Sequence, residues 1–127
     1  YIIPARFSKI ADNLRMPRIQ VDPLSKSATF QGEVFQIKKF EKAKQVFQGH
    51  AMAQADGQFV SATKRFSKGD FVVEMNQPLA NLIFYLLEPQ SDDGLLTWNF
   101  LDEYIETNKG ENKPVEYPVF KYTIKNK

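Results

Sequence analysis

The spacing of hydrophobic residues at the start of the chain predicts a helix between two short strands. Residues 1–3 are apolar, and Pro4 follows them. The next apolar side chains recur at helical spacing, at Phe7, Ile10, Ala11 and Leu14. Proline suits the first turn of a helix because its missing N–H falls at a position without an intrahelical partner. We therefore expect a strand at 1–3, a helix from about Ala5 to Arg15 and a second strand at 19–21.

Extended sequence then predicts a long strand from Thr29 to about Phe47. Phe35 and Ile37 would share one face of this strand, whereas Phe40 falls on the opposite parity. A change of parity inside a strand indicates an inserted residue, so we expect a bulge near residues 38–39.

Two glycine-containing turns are predicted after this strand. Asp56-Gly57 stands between two extended runs, 50–55 and 58–66, and this dipeptide is typical of a two-residue hairpin turn. Lys68-Gly69-Asp70 predicts a second turn, which leads into a strand at 71–74. The middle of the chain is therefore expected to form a mainly antiparallel sheet.

Helical spacing returns after residue 75. Apolar residues recur at Leu79, Leu82, Ile83 and Leu86. Asn76 or Gln77 is expected to cap this helix, with Pro78 in its first turn and Pro89 after its end. Because residues 84, 85 and 87 are also apolar, we expect the helix to be buried on most sides.

The last third of the chain completes the predicted fold. Trp98, Leu101 and Ile105 are spaced as on another short helix. A final strand at 115–124 contains Pro118, which favours an edge position. The whole pattern predicts an α+β fold, with a short strand-helix-strand opening, a mainly antiparallel sheet and two later helices packed on it.

The composition narrows the chemistry open to the chain. With no Cys and a single His, His50, the chain cannot by itself form a His/Cys zinc site, a cysteine nucleophile or a disulfide. The 17 basic and 15 acidic side chains form no one-sided basic stripe, so no nucleic-acid partner is expected. No apolar run approaches the roughly 18 residues of a membrane span. At 127 residues, a single domain is expected.

Acidic and aromatic side chains after residue 87 are candidates for a site. Residues 88–116 carry eight acidic and two basic side chains. Glu88, Asp92 and Asp93 could act as paired carboxylates or bind a hard cation, but the pattern lacks the further ligands of a calcium loop, which favours turn-forming roles. Trp98 and Asn99 could form a stacking platform for a sugar or peptide, and the alternative is a Trp packed on the sheet.

Polar residues bracket the second predicted helix. A domain that docks on another needs polar contacts beside its apolar patch. We therefore predict an interdomain or ligand contact on both sides of this helix, formed by Gln77, Pro78, Glu88, Asp92, Asp93, Trp98 and Asn99. No catalytic residue and no metal ligand is assigned within the chain.

Three stretches carry a resemblance to a known family: 76–82 (NQPLANL), 86–95 (LLEPQSDDGL), and Trp98-Asn99-Phe100 with Asp102. Shorter matches lie at 1–4 (YIIP), 47–50 (FQGH) and 117–119 (YPV). In these stretches the chain resembles the region that follows the catalytic domain in bacterial zinc carboxypeptidases. The resemblance implies a parent metallopeptidase in which two His and one Glu hold a zinc ion that polarises water. Those ligands belong to the preceding domain, and none is carried over to this chain.

The resemblance further implies that residues 1–127 are a non-catalytic C-terminal accessory domain of a secreted or periplasmic protein. Its expected partner is the catalytic domain of the same protein, where the zinc is expected, and no cofactor is expected in this chain. Two alternatives stay open. The 17 aromatic side chains fit a peptide- or glycan-binding module, and Glu88 with Asp93 would fit a small stand-alone enzyme.

Overall fold

Short strands, helices and a long hairpin make up the described part of the chain. The computed structural model describes the backbone of residues 1–47, 50–90, 94, 101, 104–105 and 114–126. The strands are β1 (Ile2–Ile3), β2 (Asp22–Pro23), β3 (Ala28–Phe47), β4 (His50–Phe66), β5 (Phe71–Val72), β6 (Val115–Glu116) and β7 (Lys121–Asn126). The helices with defined ends are α1 (Ser8–Arg15), which follows a 3₁₀ turn at Ala5–Phe7, and α2 (Ala80–Leu87). The described strand pairs are antiparallel, which confirms the predicted α+β fold.

The described strands form two sheets, which an isolated residue pair joins. In the smaller sheet, β5 lies between β1 and β2. In the larger sheet, β3 pairs with β4 along one side and with β6 and β7 along the other. Ile2 of β1 pairs with Phe120, just before β7, through two backbone hydrogen bonds of 2.8 and 2.9 Å. This pairing places β1 beside the segment that enters β7.

The long hairpin confirms the predicted bulge and corrects the predicted turn. The register of β3 against β4 shifts between Ile37 and Lys39. Asp56 and Gly57 form no turn: they lie inside β4, opposite Lys39 and Ile37, and the chain reverses between Phe47 and His50, which pair with each other. Gly57 is suited to this place because a Cβ there would overlap the carbonyl oxygen of Gln36 and approach the Cα of Ile37 to 3.1 Å. The glycine therefore permits close approach of two backbones rather than a reversal.

The predicted turn at 68–70 is confirmed. Gly69 has a φ of 96°, and the N–H of Asp70 donates to the carbonyl of Ser67 at 3.1 Å. A positive φ is the conformation that glycine adopts at little cost.

The opening strand and helix form as predicted, but the second strand lies later than expected. α1 ends in a Schellman motif. The Ile19 N–H donates to the carbonyl of Leu14, and the Arg18 N–H donates to the carbonyl of Arg15. Arg18 has the positive φ of this motif, 69°. The backbone N–H and carbonyl of Gln20 then bond to the side-chain amide of Gln77. Because a side chain already pairs this backbone, residues 19–21 form no strand, and pairing with β5 begins at Asp22.

The C-terminal strand is broken in two. β6 pairs with residues 36–37 of β3 and β7 with residues 29–33. Pro118 lies in the connection at 117–120, not inside a strand, because proline has no N–H to give to the ladder. Of the predicted helix near Trp98, the described part is a single turn, in which the Ile105 N–H donates to the carbonyl of Leu101 at 3.0 Å.

Buried residues lie on both faces of β3. Phe35 and Ile37 belong to the larger core cluster, which also holds the buried residues of α1 and α2, namely Ile10, Ala11, Leu14, Ile83 and Leu87. Phe30 and Val34, of the opposite parity, pack with Ile2, Phe66 and Phe120. Because successive strand residues point to opposite faces, both helices pack on one face of the sheet, and β1 contributes Ile3 to that cluster and Ile2 to the cluster on the other face.

Candidate functional site

The structure describes three of the seven predicted contact residues. Gln77 and Pro78 lie just before α2, and Glu88 lies just after it. Asp92, Asp93, Trp98 and Asn99 lie outside the described residues, so the contacts assigned to them stay predictions.

Glu88 is the centre of a cluster that joins three parts of the chain. One of its oxygens, Oε2, accepts a hydrogen bond from the phenol of Tyr1, and the other, Oε1, accepts one from the Lys121 ammonium at 3.1 Å. The Glu88 side chain is 12% exposed, and that of Lys121 is 30% exposed. Both carboxylate oxygens therefore accept hydrogen bonds, one from Lys121 in β7 and the other from Tyr1, directly before β1.

Aromatic rings surround this carboxylate cluster. The Lys121 ammonium lies 4.2 Å from the centre of the Phe59 ring, which in turn packs edge-on against Phe35 at 5.0 Å. The buried Tyr117 donates from its phenol to the carbonyl of Leu87 at 2.6 Å, so it holds the residue directly before Glu88. A buried tyrosine usually finds such a polar partner for its hydroxyl.

The electrostatics of the cluster keep both phenols protonated. Burial raises the pKa of the Tyr1 phenol, and its hydrogen bond to Glu88 raises it further. Burial also raises the pKa of the Tyr117 phenol, with a smaller contribution from the negative charge of Glu88. Both groups are therefore neutral donors at physiological pH, and each oxygen of Glu88 accepts a hydrogen bond from within the chain. This arrangement suits a structural tie better than acid–base chemistry, which needs an oxygen open to substrate.

Tyr1, Tyr117 and Lys121 were not among the residues predicted for this site. The two tyrosines carry a usable signal, since a tyrosine in an apolar strand needs a partner for its hydroxyl. Nothing in the local sequence marks Lys121 as a partner of Glu88, because only the pairing of β7 with β3 brings the two residues together.

Gln77 acts as a bridge between two loops. Its side-chain oxygen accepts from the Gln20 N–H at 2.8 Å, and its amide nitrogen donates to the carbonyls of Gln20 and Glu74 at 3.2 and 2.7 Å. The amide is thereby occupied in joining the segment after α1 to the segment before α2. The predicted cap on α2 is therefore wrong: Leu79 is the N-cap, and no side chain caps the helix.

The exposed side of α2 corrects the prediction of a helix buried on most sides. Ile83 and Leu87 are buried, whereas Phe84 is 54% exposed and Tyr85 is 43% exposed. Met75 and Pro78, in the segment leading to the helix, are exposed as well. The helix contains no charged residue. An uncharged, partly aromatic surface therefore lies between the two polar positions Gln77 and Glu88.

The described part of the chain offers neither a metal cluster nor a membrane-spanning helix. No group of three or more His, Cys, Asp or Glu side chains there is placed to hold a metal ion. Among the same residues, no helix has the length and apolar character needed to cross a membrane.

Comparisons with protein-family profiles, curated proteins and solved structures each returned no match for the chain.

Proposed function

We propose that residues 1–127 form the non-catalytic accessory domain of a zinc carboxypeptidase-like protein. One observation supports this most: separate stretches that carry the resemblance touch one another. Tyr1, from the first stretch, contacts Glu88, and Tyr117, from the last, bonds the carbonyl of Leu87. A resemblance scattered along a sequence carries more weight when its parts form one cluster in the fold.

The chemistry of the chain agrees with an accessory role. Holding zinc through two His and one Glu requires a pair of histidines, and the sequence has only His50. In the proposed protein, the zinc site and the water it activates belong to a domain that precedes Tyr1. Residues 1–127 would pack on the catalytic domain, and the whole protein would be secreted or periplasmic.

The test is to clone the full-length reading frame and to assay the purified protein for release of C-terminal amino acids from peptides. The proposal expects an HxxE motif and a distant His ahead of Tyr1, and activity that a zinc chelator abolishes. Replacing the His of the upstream HxxE motif should abolish the activity. The control variant, Glu88→Gln, should still bind the zinc. A reading frame without such a domain refutes the proposal.

Exposed aromatic rings favour a second candidate, a peptide- or glycan-binding module. Phe84 and Tyr85 are consecutive residues of α2 and are 54% and 43% exposed, and exposed aromatic residues are typical of surfaces that bind sugars and peptides. Titration with peptides and oligosaccharides, followed by aromatic fluorescence, tests this function. A saturable change in the native chain that Phe84→Ser abolishes would support it, and no change with either ligand class would exclude it for those ligands.

A further inference from the structure

β4 lies at one border of the larger sheet. Among the described strands it pairs with β3 and with no other, so its second backbone edge has no strand beside it. The pairing with β3 is regular over 57–66, where each residue opposes one residue of β3. The amide of Gln90 lies 3.4 Å from the Ala55 carbonyl and from the Asp56 carboxylate, so it reaches β4 just ahead of this regular stretch. The edge at 57–65 therefore presents backbone donors and acceptors to a further strand.

Two other edge strands have features that usually prevent pairing with a second chain. β2 is two residues long and contains Pro23, and β7 carries Lys121 and Lys125 within six residues. Short length, proline and lysine are common means by which an edge strand avoids such pairing. In β4, residues 57–63 (GQFVSAT) contain neither a charge nor a proline. Of these three strands, β4 is therefore the best suited to receive another strand.

The charges that flank this uncharged stretch are complementary to those of a second copy. Asp56 precedes it and Lys64 follows it. If two copies pair antiparallel about a two-fold axis at Val60, residues four positions before and after Val60 oppose each other, so Asp56 faces the partner's Lys64 twice. Opposite charges placed directly across two strands stabilise the pairing. An axis at residue 59 or 61 would instead oppose each of these charges to an uncharged residue.

Asp56 and Lys64 have partners within the chain, and each can take a second one. Asp56 lies opposite Lys39 of β3 and accepts from Gln90, and its side chain is exposed. Lys64 forms an ion pair with Glu116, and its side chain is 35% exposed. A carboxylate has two accepting oxygens and an ammonium has three N–H donors, so a further pair does not require the existing contacts to break.

We propose that the 57–65 edge of β4 pairs with the same edge of a second copy, in an antiparallel register centred on Val60. The larger sheets of the two copies then join into one sheet. Strand addition supplies main-chain hydrogen bonds, and the two-fold arrangement is self-complementary, so assembly stops at a dimer. The inference goes beyond the proposed function and does not depend on it, because it rests on the sheet edge and its charges.

Single cysteines test the register, because the native chain contains no cysteine. In the proposed dimer Val60 opposes its own copy, and directly opposed Cα atoms lie about 4.5–5.5 Å apart, within the range of a disulfide. Val60→Cys should therefore form a cross-linked dimer when the purified chain is treated with copper phenanthroline. Thr63→Cys is the control: the two copies of residue 63 would lie six positions apart along the strands, about 20 Å, and should not cross-link.

Sedimentation equilibrium of the same chain tests the contribution of the charges. Asp56→Asn removes one charge from both symmetry-related pairs and should raise the dissociation constant of the dimer about fivefold. Arg65→Gln is the matched control, because it removes the charge next to Lys64 but lies opposite the partner's Ala55, so the constant should stay within about twofold. Both residues are exposed, and far-ultraviolet circular dichroism of the variants should match the parent.

Each outcome decides for or against the paired edge. Efficient cross-linking of Val60→Cys alone, with a weaker dimer in Asp56→Asn, supports it. A native chain that sediments as a monomer throughout a dilution series overturns it, even if the chain binds a strand of another protein. Equal cross-linking at Val60 and Thr63, or equal dissociation constants for Asp56→Asn and Arg65→Gln, also overturns it, because the copies would then meet through a different surface or register.

Discussion

Replacing Glu88 with glutamine tests whether the carboxylate cluster holds the fold together. The glutamine side chain would keep the size of the original but lose the negative charge of the carboxylate, whose oxygens accept hydrogen bonds from Tyr1 and Lys121. An amide has one accepting oxygen, so its NH₂ group would face either the phenol or the ammonium. One of two charge-assisted hydrogen bonds is therefore lost and the other is weakened.

The structure sets the expected size of this effect. A hydrogen bond to a charged group contributes about 1.5–3 kcal/mol. Breaking a fully buried ion pair costs about 3–5 kcal/mol, but Lys121 is 30% exposed and regains water, which reduces that cost. We therefore expect Glu88→Gln to lower the free energy of unfolding by about 2–3 kcal/mol.

A matched control comes from the same chain. Glu116 forms an ion pair with Lys64, and their side chains are 45% and 35% exposed. Because exposed pairs contribute little, Glu116→Gln should cost at most about 1 kcal/mol. Urea unfolding followed by circular dichroism measures both variants, and a double-mutant cycle with Tyr1→Phe should show coupling of about 1–2 kcal/mol. Equal effects at the two glutamates, or no coupling with Tyr1, would refute the structural role of the cluster.

Three further predictions concern the backbone and the buried phenols. Gly57→Ala should destabilise the chain by about 3 kcal/mol or more, because the new Cβ would overlap the Gln36 carbonyl. The control is Gly69→Ala, which should cost only the strain of its positive φ because no atom lies within 4 Å of the added Cβ. Equal urea midpoints for the two variants would contradict this prediction. Arg18→Gly should raise the free energy of unfolding by about 0.5–1 kcal/mol, since glycine adopts the left-handed φ of 69° without strain, and a lower stability in the same assay would count against it. The free energy of unfolding should fall as pH rises above about 10, because the phenol of Tyr117 ionises at lower pH in the unfolded chain than in the folded one. Tyr117→Phe should flatten this decline relative to the parent. An unchanged slope would show that the phenol is not responsible.

Local patterns in the sequence predicted the elements whose form depends on neighbours along the chain. The spacing of Ile10, Ala11 and Leu14 predicted α1, and the parity change between Ile37 and Phe40 predicted the bulge. The Gly69 turn is also local, since its φ belongs to a single residue. In each case the physical cause lies within a few positions of the residue concerned.

The errors arose where a distant residue decides the structure. Asp56-Gly57 has the composition of a turn, but the bulge on β3 requires a glycine opposite it. Residues 19–21 have the composition of a strand, but the amide of Gln77, 57 positions after Gln20, takes the backbone groups that a strand would pair. Sequence patterns report local preference, and tertiary contacts override it at these places.

The difference between local preference and tertiary contact also explains which residues of the candidate site were predicted. Glu88 and Gln77 stand out because they flank an apolar helix, so their positions were predictable from local sequence. Their partners were not, since Tyr1 and Lys121 reach Glu88 across separations of 87 and 33 residues. Gln77 and Glu88, the two polar residues that the structure describes among those predicted, thus have partners within the chain, and the exposed aromatic residues of α2 are Phe84 and Tyr85.

The zinc content of the full-length protein, purified beside the 127-residue chain, tests whether this chain is the accessory domain of a zinc enzyme. We predict stoichiometric zinc in the full-length protein and none above background in residues 1–127. A full-length protein that binds no zinc, or a 127-residue chain that binds it stoichiometrically, would contradict the assignment of this chain as the accessory domain of a zinc carboxypeptidase-like protein.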